Sequence, residues 1–168
     1  MLSTTRMLIV SLLVCGTMAL TRANGDEILS ANVSCPTNWT QHDSRCFHFV
    51  ETTLSWAQAQ KHCQSKGGNL ASIHNLGEVL EIQGIVYNNT QKKKAWIGGS
   101  NCQEENVWLW GDGTDFTFFY WCPGKPESSK RECCLKISST DGKCWEESLC
   151  NKLLPSICSK SLLNVTQN

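Results

Sequence analysis

The chain has 168 residues, with 15 basic and 15 acidic side chains, four histidines and 11 cysteines. That balance leaves no net charge to hold a polyanion, and no basic face marks a nucleic-acid binder. Cysteine at this density points to an oxidising compartment.

Residues 1–23 read as a targeting segment. Arg6 precedes an apolar run from Met7 to Leu20, and the small residues of "TRANG" follow at cleavage positions. The run is short for a membrane span and fits a secretory segment, and no second long apolar run occurs. Met1 and Met7 are both possible starts and lead to the same mature chain. Cleavage near Ala23 removes Arg6 and Arg22 and leaves 13 basic residues against 15 acidic, a net charge of about −2. The remaining chain is long enough for one domain with its own core. The expectation is a secreted, soluble product with no membrane span.

The same cleavage removes Cys15 and leaves ten cysteines, an even number that reads as five disulfides. No CxxC pair occurs and the histidines are scattered, so bound zinc is not expected. Glycosylation sequons at Asn32, Asn38, Asn88 and Asn164 agree with export.

Residues 24–34 form a polar leader, and order is expected from 35 to 160, with a tail over 161–168. "RCFHFV" (45–50) alternates and is predicted to be a strand. Trp56, Ala59 and Cys63 recur at helical spacing ahead of Gly67-Gly68, which predicts a first helix. Asn75 with Glu78 three residues on resembles a capping box. Behind it Leu76, Val79, Leu80, Ile82 and Val86 form the apolar stripe of a second helix, weakened by Gly84. "KKK" at 92–94 reads as a solvated loop. From Ala95 the pattern changes to short strands: "AWIGG", "VWLW", "FTFFYW", "CCLKI" and "PSICSK". Two helices ahead of several short strands read as α+β. Trp56, Trp96, Trp108, Trp110 and Trp145 are expected in the core.

Seven stretches, in order, resemble the C-type lectin-like domain: "CPTNW", "WAQAQKHC", "NLASIH", "WIGG", "VWLWGDG", "KCWEESLC" and "SIC". They run over residues 35–160. The resemblance implies two helices, short antiparallel strands and a long loop region that carries the binding site. It implies Cys63–Cys158 and Cys134–Cys150 bridges, with Cys35–Cys46 closing an N-terminal hairpin. The adjacent Cys133-Cys134, with "AWIGGS" and "ECCLKI", resembles the fish type II antifreeze proteins, whose two further bridges carry over as Cys102–Cys133 and Cys122–Cys144. Fish lectins of the same domain type are also similar.

In the calcium-binding members of that family, a Glu-Pro-Asn or Gln-Pro-Asp motif, a further Glu, and Asn-Asp after a Trp hold the ion, which holds sugar hydroxyls. The matching residues here are Lys125, Pro126 and Glu127, then Glu132, then Glu146 and Glu147 after Trp145. Ca²⁺ requires six to eight oxygens, and an ammonium offers no lone pair. Calcium bound in the family's sugar-binding manner is therefore not expected. Four carboxylates converging on one point would repel, by about 3 kcal/mol per pair at ~5 Å and an effective dielectric near ~20. Either a cation still binds, or the Lys125 ammonium offsets that charge, or the glutamates splay into water; the second or third is expected. Pro126 is expected to keep the cis bond of family members, and surface function is expected between Thr114 and Lys130.

The implied function is non-catalytic: a secreted type II antifreeze protein that adsorbs to ice without calcium. The alternative is a carbohydrate-binding lectin of innate immunity with altered or residual calcium-dependent sugar binding. Ice or glycans are the partners. No nucleophile–base pair points to an enzyme.

Overall fold

The computed structural model describes residues 34–91, 93–127 and 131–162. The expected targeting segment, the leader up to 33, the tail beyond 162, Lys92, Lys130 and the sequons at Asn32 and Asn164 lie outside the described residues. Among those described, no helix is long and apolar enough to cross a membrane.

The elements run β1 (Thr40–His42), β2 (Arg45–Leu54), α1 (Trp56–Ser65), β3 (Asn69–Leu70), α2 (Leu76–Asn89), β4 (Lys94–Ser100) and β5 (Leu109–Trp110). They continue with β6 (Cys134–Ser138), β7 (Trp145–Ser148) and β8 (Leu154–Ser161). The fold is α+β, as the order of helices and strands predicts. One sheet has the order β1-β2-β8-β4-β6-β7, with β3 pairing β8 and β5 pairing β4. The last strand enters beside the second, so the two ends of the domain meet. The expectation of purely antiparallel strands needs one correction. β4 meets β8 in parallel, at Trp96 and Ser156.

Local signals explain both helices. Ser55 is extended, its hydroxyl accepts from the Gln58 N–H, and the Gln58 side chain returns to the Ser55 N–H. This is a complete capping box. α1 buries Ala59 and Cys63 and stops at Gly67, whose φ of +74° suits glycine. Asn75 caps α2 by accepting from the Glu78 N–H. Glu78 does not return to Asn75, so the expected box is only half made; its carboxylate is taken by Arg45 and the His74 N–H. The predicted stripe is also corrected. Val79, Ile82 and Val86 are buried, but Leu76 and Leu80 are 50% and 59% exposed.

"FTFFYW" is not a strand beyond a single bridge from Trp121 to Trp145. Its aromatics instead pack on a cluster in which Phe116 stacks on Trp110 at 4.5 Å and Trp108 lies 4.9 Å from Trp121. "KKK" is likewise not all solvated loop, because Lys94 opens β4. Trp96, Trp110 and Trp145 are buried, while Trp56 and Trp108 are partly so.

Behind the cluster, Phe47, Ile73, Val79, Ile82, Ile97, Leu135, Ile137 and Ile157 complete the main core. A second group, with Leu70, Ala59 and Trp96, surrounds the Cys63–Cys158 bridge from α1 to β8. The other bridges join Cys35 to Cys46, Cys102 to Cys133, Cys122 to Cys144 and Cys134 to Cys150. Each stabilises by roughly 2–4 kcal/mol, mainly by restricting the unfolded chain. The four sulfurs of the Cys102–Cys133 and Cys134–Cys150 bridges lie within 4.8 Å of one another, so two staples share one spot beneath the loop region. Being oxidised, they offer no thiolate to a metal.

Gly98 in β4 marks a close approach between backbones. A Cβ there would lie 2.6 Å from the Leu70 carbonyl oxygen, which is backbone and cannot swing aside. Gly98→Ala is expected to cost roughly 1–3 kcal/mol, read as a lower urea midpoint with the bridges intact. An unchanged midpoint would contradict this packing.

Candidate functional site

Between β5 and β6 the described residues run as a long loop without regular secondary structure. β7 holds its far end. The Cys122 N–H donates to the Trp145 carbonyl, the Trp145 N–H donates to the Tyr120 carbonyl, and the Cys122–Cys144 bridge locks the same place. The Lys125 N–H then closes a turn onto the Cys122 carbonyl, and the Lys125–Pro126 peptide is cis.

This turn brings three of the predicted residues together. The Lys125 ammonium lies 2.9 Å from Glu127 Oε1 and 3.5 Å from Glu147 Oε2. Glu147 also accepts from the Glu127 backbone N–H through its other oxygen. Its side chain is only 1% exposed, against 20% for Lys125 and 67% for Glu127. The hydrogen bond to Glu127 holds the ammonium above its usual range; partial burial opposes this, and the charge of Glu147 adds to it. The cation that balances the buried carboxylate is thus part of the chain. Where a calcium set needs a lone pair, the site presents an ammonium, and the residues present do not fit the ion.

Glu146 does not join them. Neighbours on a strand point to opposite faces, and Glu146 sits across from Lys136 in the β6–β7 register. Its carboxylate lies 3.0 Å from Lys94 Nζ and 3.5 Å from Lys136 Nζ. Burial alone would raise its pKa, but the hydrogen bond from Lys94 and the charge of Lys136 hold it below the ordinary carboxylate value. Burial pushes the Lys136 ammonium down, offset in part by Glu146. The expected convergence of four carboxylates is corrected accordingly: Glu127 and Glu147 share Lys125, and Glu146 belongs to a separate pair of lysines. Glu132 is partly buried immediately before Cys133. Sequence reasoning missed Lys94 and Lys136, although recognising β7 as a strand would have exposed the alternation.

The surface near this loop carries apolar groups. Val107, Leu109 and Phe119 are exposed, and Phe119 leans on Phe116 at 6.0 Å. Thr114 and Thr117 are exposed among them in sequence.

A second polar cluster lies in a cleft of about 430 Å³ lined by Arg45, Ser72, His74, Asp112 and Ser159. His74 Nε2 stands 3.0 Å from Ser72 Oγ. Asp112, however, accepts from Ser72 and Thr114 rather than from His74. A hydrolytic relay requires the carboxylate to orient the imidazole, so this order differs from that of a catalytic triad. Arg45 donates to the Ser72 carbonyl and hydroxyl, to Ser159 and to Glu78, and so ties β2, β8 and the cap of α2 together.

Burial alone would raise the Asp112 pKa. Hydrogen bonds from the Ser72 and Thr114 hydroxyls and the Thr114 N–H, with Arg45 nearby, hold it below the ordinary value instead. A depressed folded pKa contributes stability above about pH 4 that is lost as pH falls through the folded value. Thermal midpoints of the wild type are therefore expected to fall below about pH 4, and Asp112→Asn is expected to show a shallower acid slope from a lower neutral midpoint. Equal slopes would remove Asp112 from the account.

Three comparisons place this geometry. The lectin C-type domain matches residues 52–160. A type-2 ice-structuring protein of Brachyopsis segaliensis is 39% identical over 94% of this chain and 100% of its own length. Among solved structures, a calcium-independent type II antifreeze protein superposes with a TM-score of 0.71 at 40% identity, over 76% of this chain and 95% of the other. A Ca²⁺-dependent type II antifreeze protein, in its Ca²⁺-free form, superposes at 0.66 with 39% identity, over 76% of this chain and 100% of the other. By its matched residues and its fold, the chain belongs to the lectin C-type domain family.

Proposed function

We propose that this chain is a secreted, non-catalytic protein that adsorbs to ice without calcium, through the loop surface around Leu109, Thr114, Thr117 and Phe119. Likeness to ice-structuring proteins, one of them calcium-independent, supports the ligand. The observation that carries the calcium-free form is the Lys125 ammonium set against Glu127 and the buried Glu147. A crystal face demands a stiff, largely apolar surface, and five bridges with a packed aromatic cluster supply the stiffness. The same bridges agree with an extracellular setting.

Thermal hysteresis and ice-crystal shaping, measured on folded protein in calcium and then in EDTA, test the proposal. Equal shaping in both buffers is the expected result. Shaping in calcium alone would overturn the ion-free mechanism. No shaping in either would overturn the ice reading and leave sugar binding, to be followed by retention on galactose and mannose resins.

A further inference from the structure

α2 has an outer face that the fold leaves bare, and one end of it carries a modification signal. Asn88, Asn89 and Thr90 form a sequon at the last turn of the helix, and Asn88 is exposed. Asn88 stands at the edge of an open groove of about 550 Å³. Gly77, Leu80, Glu81 and Gly84 of α2 line one side, and Thr40 and His42 of β1 line the other. That volume falls within the roughly 300–1,000 Å³ of small-ligand clefts.

The spacing is specific. Asn88, Gly84 and Leu80 are four residues apart and share a face of the helix. Helical side chains lean toward the N-terminus, so a group on Asn88 extends over Gly84 and toward Leu80. Gly84 has no packing role: a Cβ there would meet nothing within 4 Å. Glycine inside a helix nevertheless costs about 1 kcal/mol relative to alanine. Its effect is a flat floor beside an exposed leucine. Across the groove, Glu81 of α2 and His42 of β1 lie 3.8 Å apart and offer hydrogen-bonding groups. An apolar floor with a polar rim suits a pyranose, which has C–H faces and a hydroxyl edge.

We infer that Asn88 is N-glycosylated and that the first N-acetylglucosamine lies in this groove, over Gly84 and against Leu80. The glycan then covers the bare face of α2 as a packed part of the domain. None of Leu109, Thr114, Thr117 and Phe119 lines this groove. The inference rests on export of the chain, and the test separates the two.

The full chain is expressed in a cell line that builds high-mannose glycans, recovered from the medium and mapped by peptide mass spectrometry. Asn88 is expected to be occupied. Trimming by an endoglycosidase that leaves one N-acetylglucosamine is expected to preserve the thermal midpoint. Complete removal by a peptide N-glycosidase is expected to lower it by roughly 3 °C. Asn88→Gln, already at the lower value, is expected not to respond to complete removal, which accounts for any glycan on Asn38. Bare Asn88 on exported protein would overturn the inference and leave the export reading standing. So would an unchanged midpoint after complete removal, or an equal loss on trimming to one sugar.

Discussion

Lys125→Gln is expected to lower the thermal midpoint in chelator and to make that midpoint rise again with added calcium, a response not expected of the wild type. The reason lies in Glu147, whose carboxylate is 1% exposed and faces the Lys125 ammonium. Removing one partner of a buried pair strands the other charge, at a cost of roughly 3–5 kcal/mol. The lower end applies here, because Lys125 keeps some contact with water. Glutamine also replaces a cation by an amide oxygen beside Glu127 and Glu147. Bound calcium at about a hundred times its dissociation constant would return roughly 2.7 kcal/mol. Lys125→Met serves as the control, since it strands Glu147 equally and adds no oxygen; it is expected to lose stability without rescue. Calorimetry showing equal calcium binding by wild type and Lys125→Gln would sink the account of Lys125 as the residue that excludes the ion.

Arg45→Ala is expected to be the more damaging substitution away from the loop. Arg45 NH1 lies 2.9 Å from both oxygens of Glu78, and Glu78 is almost wholly buried. The same guanidinium satisfies Ser72 and Ser159, so its removal orphans acceptors on β8 and on the segment ahead of α2. A loss of roughly 3–5 kcal/mol follows, with the midpoint falling by on the order of 10 °C. Arg45→Met combined with Glu78→Gln should recover much of this, because no lone buried charge remains. A loss under about 1 kcal/mol for Arg45→Ala would mean that Glu78 finds another partner.

The helices were legible because their end signals are local. Asn75 reads as a cap from three residues of context, and the Ser55–Gln58 box carries the same signature. What the sequence concealed depends on partners. "FTFFYW" has the composition of a strand, yet composition supplies no neighbour, and only Trp121 finds one. β7 hides for the opposite reason. Its two glutamates look like solvent residues until Lys125 appears on one face and Lys94 with Lys136 on the other. Leu76 and Leu80 illustrate a third limit, since a helical stripe can be wider than the core it meets. At the loop, the residue types were readable as a spoiled ion set; which carboxylates met there was decided by the pleat of β7.

The Lys125 cluster has a consequence for how the surface responds to its surroundings. An ion held by mass action is present in only a fraction of molecules, and that fraction follows the ambient concentration. A side-chain cation is present once in every molecule, at an effective concentration fixed by covalent bonds. Dilution, chelators and a changing ion content of the surroundings therefore leave the pairing of Lys125 with Glu147 in place. The charge of Glu147 is balanced from within once the chain folds.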